Sequence, residues 1–205
     1  MIELYYADSG NSLRVVMLLE ECGLPYKANK LNLINGDQKA PEFLKINRFG
    51  LVPVVEDSEG PEGRPIRLSQ SAAIMLYLAN KVGKFIPSSK VLELKMMEWL
   101  LVAASDVGPA NALILYMNRD VSDLSDNGRL FLVNQFIGLL RGVEAHLAES
   151  ESGYLAGELS VADFALLPPV RMRRKLLEEA GGFPHLFKWA DRLMARPAVQ
   201  RAMSA

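Results

Sequence analysis

Residues 69–79 read SQSAAIMLYLA, which is a polar opening followed by an apolar helical stretch. Upstream, residues 51–55 read LVPVV, where Pro53 interrupts a run of strand-forming side chains. A helix that begins near Ser71 presents unpaired N–H groups and a positive dipole end, which suit a carboxylate. The backbone beside Pro53 could expose N–H and C=O groups that pair with an extended peptide. Together the two stretches predict a site for a small anionic peptide.

Composition limits the function classes. The chain has 205 residues, of which 50% are apolar, enough for one large domain or two small ones with a core. The net charge is −1 with both signs mixed, so no overall field favours nucleic acid or an anionic membrane. No apolar run is expected to approach the ~20 residues of a membrane helix, and the N-terminus lacks a secretory signal.

Cysteine and histidine content argues against metal and disulfide chemistry. Cys22 is the only cysteine, which excludes an intramolecular disulfide and a CxxC motif. It lies in the apolar part of the first helix, where a buried, inert thiol is expected. His146 and His185 are isolated, with no metal-ligand spacing. The composition therefore predicts a cytoplasmic protein without a metal, a membrane or a nucleic-acid partner.

The first part of the chain alternates strand and helix patterns. Turn residues and the helix-stopping pair Gly23 and Pro25 separate them. The predicted order is βαβ, then α, β, β, α, with strands at 2–6, within 26–33, at 52–56 and at 66–68, and a closing helix at about 69–81. The opening βαβ unit indicates a parallel strand pair joined by a crossover helix.

After Pro87 the strand patterns stop and apolar residues recur at helical spacing. The predicted domains are therefore 1–82, mixed α/β, and 88–205, all-helical. Gly108-Pro109 predicts a kink, and Pro168-Pro169 predicts a bend or break. Ser160 and Asp163 are spaced as a capping box, flanked by a hydrophobic staple.

The order and spacing of five motifs resemble the cytosolic glutathione S-transferase family over essentially the whole chain. They are Leu4-Tyr5-Tyr6, Val52-Pro53, Gln70-Ser71, Ser160-Val161-Ala162-Asp163 and Arg196-Pro197-Ala198-Val199. The resemblance implies a thioredoxin-like N-terminal domain, a helical-bundle C-terminal domain and a homodimer. The loop Ser9-Gly10-Asn11-Ser12 is similar to bacterial and serine-type branches, including glutathione-dependent disulfide reductases.

The resemblance also implies a glutathione site. Gln70 and Ser71 would hold the γ-glutamyl end, although Gln70 lacks the charge of the Glu that other members carry. Val52 would pair with the cysteinyl backbone beside a cis Pro53, and Gln38 would contact glutathione. The alternatives are that Ser71 is a plain helix cap and that Pro53 is an ordinary trans proline.

A hydroxyl or amide donor at a helix N-terminus would favour the glutathione thiolate. Ser9 is the first candidate by its match to the family's serine, with Asn11 beside it; Ser12 and Tyr5 are the alternatives. The expected activity is attack of this thiolate on small electrophiles, with glutathione as co-substrate. Disulfide-bond oxidoreduction and a non-enzymatic interaction module are the alternative hypotheses.

Overall fold

The computed structural model describes residues 1–121 and 123–204. By their contacts these residues form two compact units, one of Met1–Lys84 with the segment that begins at Arg196, and one of Phe85–Ala195. The sequence division at residues 82 and 88 leaves that last segment in the second domain, whereas its helix packs on the first helix of the chain.

The first unit is built on a four-stranded sheet in the order β2-β1-β3-β4. The strands are β1 (Ile2–Tyr6), β2 (Tyr26–Lys30), β3 (Val54–Asp57) and β4 (Ile66–Ser69). β1 and β2 run parallel, while β3 pairs antiparallel with both β1 and β4. The predicted βαβ opening with a parallel pair is confirmed.

In the described part of the chain, four α-helices accompany this sheet: α1 (Gly10–Cys22), α2 (Pro41–Ile46), α3 (Ser71–Val82) and α10 (Pro197–Ser204). α1 packs against α3 and α10. Gly23, at φ 66°, ends α1 as expected, because glycine adopts the left-handed conformation without steric cost. Side chains alternate along β1, so Leu4 is buried while Tyr5 lies on the face that carries Phe43 of α2, with ring centroids 6.1 Å apart.

The second unit is helical. Its helices are α4 (Lys90–Leu101), α5 (Gly108–Asp120), α6 (Asp126–Glu149), α7 (Val161–Met172), α8 (Arg174–Ala180) and α9 (Pro184–Met194). The fold class predicted from the sequence, a thioredoxin-like domain followed by a helical domain, is confirmed.

A π-helical segment, Val102–Val107, joins α4 directly to α5 ahead of Gly108-Pro109. In the described part of the chain, the continuous helix Lys90–Asp120 is long and apolar enough to cross a membrane by length and composition. The expectation that no stretch approaches this length is therefore wrong. Core helices of soluble proteins pass the same test, so one such helix is weak evidence for a membrane.

The predicted capping box is present at the start of α7. The Asp163 carboxylate accepts hydrogen bonds from the N–H of Ser160 at 2.9 Å and from its hydroxyl at 3.1 Å. α7 then continues through Pro168 and Pro169 to Met172, so the expected break there is wrong. Every residue from Val161 to Val170 is buried, and the packing around the helix offsets the hydrogen bonds that the prolines remove.

Candidate functional site

The strand register brings three chain segments of the first unit together. Val54 lies opposite Ser69 of β4 and Tyr5 of β1. Continuing these antiparallel pairings by one or two residues places Val52 and Pro53 beside the start of α3 and beside the chain that leads into α1. The sheet therefore gathers both helix N-termini around one short extended segment.

Val52 offers its backbone at this position. The Val52–Pro53 peptide bond is cis, which agrees with the resemblance and not with an ordinary trans proline. Within residues 1–121 and 123–204, neither the N–H nor the C=O of Val52 has a hydrogen-bond partner. Pro53 is buried and β3 begins at the next residue. Both backbone groups of Val52 are thus available to an extended peptide.

The N-terminus of α3 is formed by an unusual cap. Gln70 is the N-cap residue, exposed, with φ 74° and ψ 112°, and its side chain makes no capping hydrogen bond. A positive φ in a non-glycine residue is costly and tends to be kept at functional sites. Ser71 is the first helical residue, 7% exposed. The alternative that Ser71 is a plain helix cap is therefore wrong. The first amides of α3 face outward without an internal acceptor.

The N-terminus of α1 uses its serines internally. The Ser9 hydroxyl accepts from the Ser12 N–H at 3.2 Å and donates to the Ser12 Oγ at 3.0 Å. Ser12 Oγ in turn accepts from the Ala7 N–H at 3.2 Å, and Ser12 is fully buried. Ser9 is therefore the cap of α1, with its hydroxyl hydrogen already directed at Ser12.

Arg14 connects the two helix N-termini. It is 4% exposed, and its Nη1 donates to Asn11 Oδ1 at 2.8 Å and to Ser71 Oγ at 3.3 Å. Burial lowers the pKa of Arg14 to about 10, which leaves the guanidinium charged at neutral pH. Arg14 is not among the residues predicted for the site from the sequence. The available signal is a charged residue within the apolar stretch of α1.

Asn11 is held in one orientation by this contact. Because the guanidinium can only donate, it fixes the amide oxygen of Asn11 towards Arg14 and turns the amide nitrogen away. Asn11 is exposed, and within the described residues its Nδ2 has no hydrogen-bond partner. Of the four side chains considered for contact with a thiol, Asn11 is the one with an N–H donor free.

Tyr5 lies apart from this group. Its hydroxyl donates to Glu56 Oε2 at 3.3 Å, on the α2 face of the sheet. Burial, followed by the negative charge of Glu56, raises the pKa of Tyr5. The structure therefore does not bring Tyr5 together with Asn11 and Ser71.

Gln38 also lies outside the contacts that join Asn11, Arg14 and Ser71. Its Nε2 donates to the Leu33 carbonyl at 3.4 Å, and its buried Oε1 has no partner among the described residues. Gly50, at φ 58°, passes so close that an added Cβ would meet the Gln38 carbonyl at 2.7 Å. Gln38 thus retains an unused acceptor.

The sequence predicts no functional role for Cys22, His146 or His185. Cys22 is buried, and burial raises the pKa of its thiol to about 11, so it is inert, as expected. His146 Nε2 lies 2.9 Å from the Leu155 carbonyl, and His185 Nδ1 lies 2.7 Å from Glu144. In the part of the chain that the structure describes, no group of three or more His, Cys, Asp or Glu side chains could hold a metal ion.

Comparison with known proteins shows the family of this chain. The profile of the glutathione S-transferase N-terminal domain matches residues 8–81, and that of the C-terminal domain matches residues 138–197. The maize protein glutathione S-transferase 3 is 31% identical, over 96% of this chain and 90% of its own. The chain belongs to the glutathione S-transferase family.

Two further relatives concern disulfide chemistry, one by its name and one by its bound ligand. The Escherichia coli disulfide-bond oxidoreductase YfcG is 29% identical, over 99% of this chain and 94% of its own. A glutathione transferase from Pseudomonas putida, crystallised with glutathione disulfide, superposes with a TM-score of 0.91. It is 29% identical, and the match covers 98% of this chain and 90% of that one.

Proposed function

We propose that this protein binds glutathione and uses its thiolate in thiol–disulfide exchange. The γ-glutamyl carboxylate lies at Ser71 and the α3 amides, and the cysteinyl backbone pairs with Val52. The sulfur faces the Asn11 amide at the start of α1. The observation that carries the proposal is the pair of hydrogen bonds from one Arg14 nitrogen to Asn11 and Ser71.

The amide of Asn11 favours the thiolate over the thiol. A free thiol has a pKa near 8.5, so only a few per cent is ionised at pH 7. A hydrogen bond to a charged group contributes about 1.5–3 kcal/mol, which corresponds to a fall of one to two units in the thiol pKa. The Gly10 and Asn11 backbone amides at the α1 N-terminus act in the same direction.

In the proposed reaction, both thiols come from glutathione. The first glutathione thiolate attacks a disulfide RSSR and forms the mixed disulfide GSSR, with RS⁻ as the leaving group. A second glutathione thiolate then attacks GSSR, giving glutathione disulfide and another RS⁻. Cys22 supplies no sulfur, because it is buried and its thiol pKa is raised. The disulfide held by the Pseudomonas putida relative and the activity named for YfcG support this choice.

Conjugation of small electrophiles is the second candidate, favoured by the similarity to the maize transferase. The same thiolate would attack a carbon centre, so both reactions need the Asn11 contact. Turnover of a mixed disulfide and of a chloronitroaromatic compound separates them. Glutathione binding without turnover in either assay would indicate a non-enzymatic module.

Asn11→Ala is expected to raise the pKa of the bound glutathione thiol by about one unit or more, because the amide donor is lost. The pKa is read from the ultraviolet absorbance of the thiolate as pH is varied. Tyr5→Phe is the matched control, and its thiol pKa stays at the wild-type value because Tyr5 bonds to Glu56. An unchanged thiol pKa in Asn11→Ala would place the donor elsewhere, and absence of binding heat with millimolar glutathione would refute the function itself.

We also propose that the protein is a homodimer. Val91, Leu94 and Leu101 lie along one side of α4 and are 69%, 63% and 53% exposed. Several exposed apolar side chains on one side of a helix favour an interaction site. Leu94→Glu is expected to halve the mass measured by sedimentation, whereas Leu113→Glu on α5 leaves it unchanged. A monomeric wild type would contradict the proposal.

The cytoplasmic location and a role in detoxification stay predictions.

A further inference from the structure

One nitrogen of Arg14 supports two side chains that belong to different helices. Nη1 donates to Asn11 Oδ1 at 2.8 Å and to Ser71 Oγ at 3.3 Å, across 57 positions of sequence in the second case. Arg14 is nearly fully buried, so these bonds lie in a low-dielectric environment where they are strong. The geometry therefore links the N-terminus of α1 to that of α3 through a single cation.

Both bonds determine where hydrogens point. A serine hydroxyl that accepts from Arg14 keeps its own hydrogen for another acceptor, and an asparagine whose oxygen accepts directs its NH₂ group outward. Arg14 thus makes donors of Ser71 and Asn11. In the proposed complex the first faces a carboxylate and the second faces a thiolate.

We infer that Arg14 is a positioning residue that couples recognition of the γ-glutamyl carboxylate to stabilisation of the thiolate. This inference rests on the proposed glutathione site. A carboxylate that accepts from the Ser71 hydroxyl polarises it and strengthens the bond that Ser71 accepts from Nη1. The same nitrogen orients Asn11, so the two ends of the tripeptide influence each other's binding free energies reciprocally.

Arg14→Lys is the direct test. Lysine keeps the charge but lacks the planar fork that holds two acceptors in fixed directions. We expect the KM for glutathione to rise about tenfold and the bound thiol pKa to rise by about one unit, as for loss of a charge-assisted hydrogen bond at each end. Arg201→Lys is the matched control. It lies on α10 of the same unit and pairs with Glu20 at 2.7 Å, and it leaves both quantities unchanged.

A double-mutant cycle keeps the inference testable if Arg14→Lys does not fold. Asn11→Ala, Ser71→Ala and the double variant all retain Arg14, and their effects on thiolate stability are compared. Coupling through Arg14 predicts non-additive effects, by at least about twofold in the ionisation constant. Additive effects would overturn the inference, as would a folded Arg14→Lys variant with wild-type KM and thiol pKa.

Failure of the proposed glutathione site and failure of the role proposed for Arg14 give different results. If wild-type protein gives no binding heat with millimolar glutathione, the glutathione site itself is refuted. If the wild-type protein binds glutathione and ionises its thiol but the effects of the two single variants are additive, the glutathione site is supported and Arg14 has only a structural role. A thiol without the γ-glutamyl group, cysteinylglycine, adds a check, because its thiol pKa on the protein should depend little on Ser71.

Discussion

Asp163→Asn is expected to lower the free energy of unfolding by about 3 kcal/mol, as for other buried, charge-assisted networks. Asp163 is fully buried and its carboxylate accepts four hydrogen bonds. Oδ1 accepts from the Leu155 N–H at 3.1 Å and from Trp189 Nε1 at 2.9 Å. Oδ2 accepts the N–H and the hydroxyl of Ser160.

An asparagine cannot satisfy this arrangement. Its NH₂ group must face one of the two donor pairs, and the Ser160 hydroxyl is the one donor that can rotate to become an acceptor. At least one buried backbone or indole N–H therefore faces a donor and loses its hydrogen bond. Burial raises the pKa of Asp163, and the four donors oppose that rise by favouring the ionised form.

Urea unfolding of Asp163→Asn and of a control measures this loss. Asp120→Asn removes an exposed carboxylate that pairs with Arg119, and its stability should stay close to that of the wild type, because exposed ion pairs contribute little. A loss in Asp163→Asn as small as that of the control would mean that Asp163 is protonated in the folded protein and that its donors are satisfied differently.

The second large effect concerns acid stability of the first unit. Asp57, at the end of β3, is 2% exposed. Burial opposes its ionisation, but donors from Tyr77 at 2.7 Å, the Glu59 N–H at 2.9 Å and Lys81 at 2.9 Å lower its pKa from 3.8 to about 2. The folded state therefore binds the proton of Asp57 less tightly than the unfolded chain.

The stability of the folded protein therefore falls in acid. The stabilisation is fully present above about pH 4, where the unfolded carboxylate is also ionised, and it is lost as pH falls from 4 towards 2. The shift corresponds to about 2 kcal/mol. Asp57→Asn should be less stable than wild type by about that amount at pH 7, with the difference shrinking towards pH 2.

Unfolding midpoints in urea across this pH range check the prediction. Glu59→Gln is the control, because its side chain is 84% exposed and exposed ion pairs contribute little to stability. A deficit in Asp57→Asn that is independent of pH would show that the loss comes from packing and not from the ionised carboxylate.

The alternation of strand and helix in the first unit follows from local rules. Period-two apolar residues mark the strands, and Gly23 stops α1 because glycine tolerates a positive φ. The capping box of α7 is equally local, since Ser160 and Asp163 are neighbours in sequence. Features of this kind are predictable because each depends on residues within one turn of each other.

The features that sequence reasoning missed depend on distant contacts. The sequence around Ser71 is typical of a helix cap. In the structure Gln70 is the N-cap residue, and the Ser71 hydroxyl accepts a hydrogen bond from Arg14, 57 positions away. Ser9 and Asn11 are both predicted from the sequence, but the Arg14 contact that joins Asn11 to Ser71 links residues far apart in the chain. Pro168 and Pro169 lie in the buried part of α7, where packing overrides the local preference for a break.

The attachment of α10 affects how the chain acquires its structure during synthesis. Arg196 forms two hydrogen bonds to Glu21, at 2.5 and 2.7 Å, and Val199 is fully buried. A nascent chain that has emerged only as far as Lys84 therefore lacks the helix that covers one side of α1. The first unit reaches its final form only after the whole helical unit has left the ribosome, so the earliest-made part of the protein is among the last to be completed.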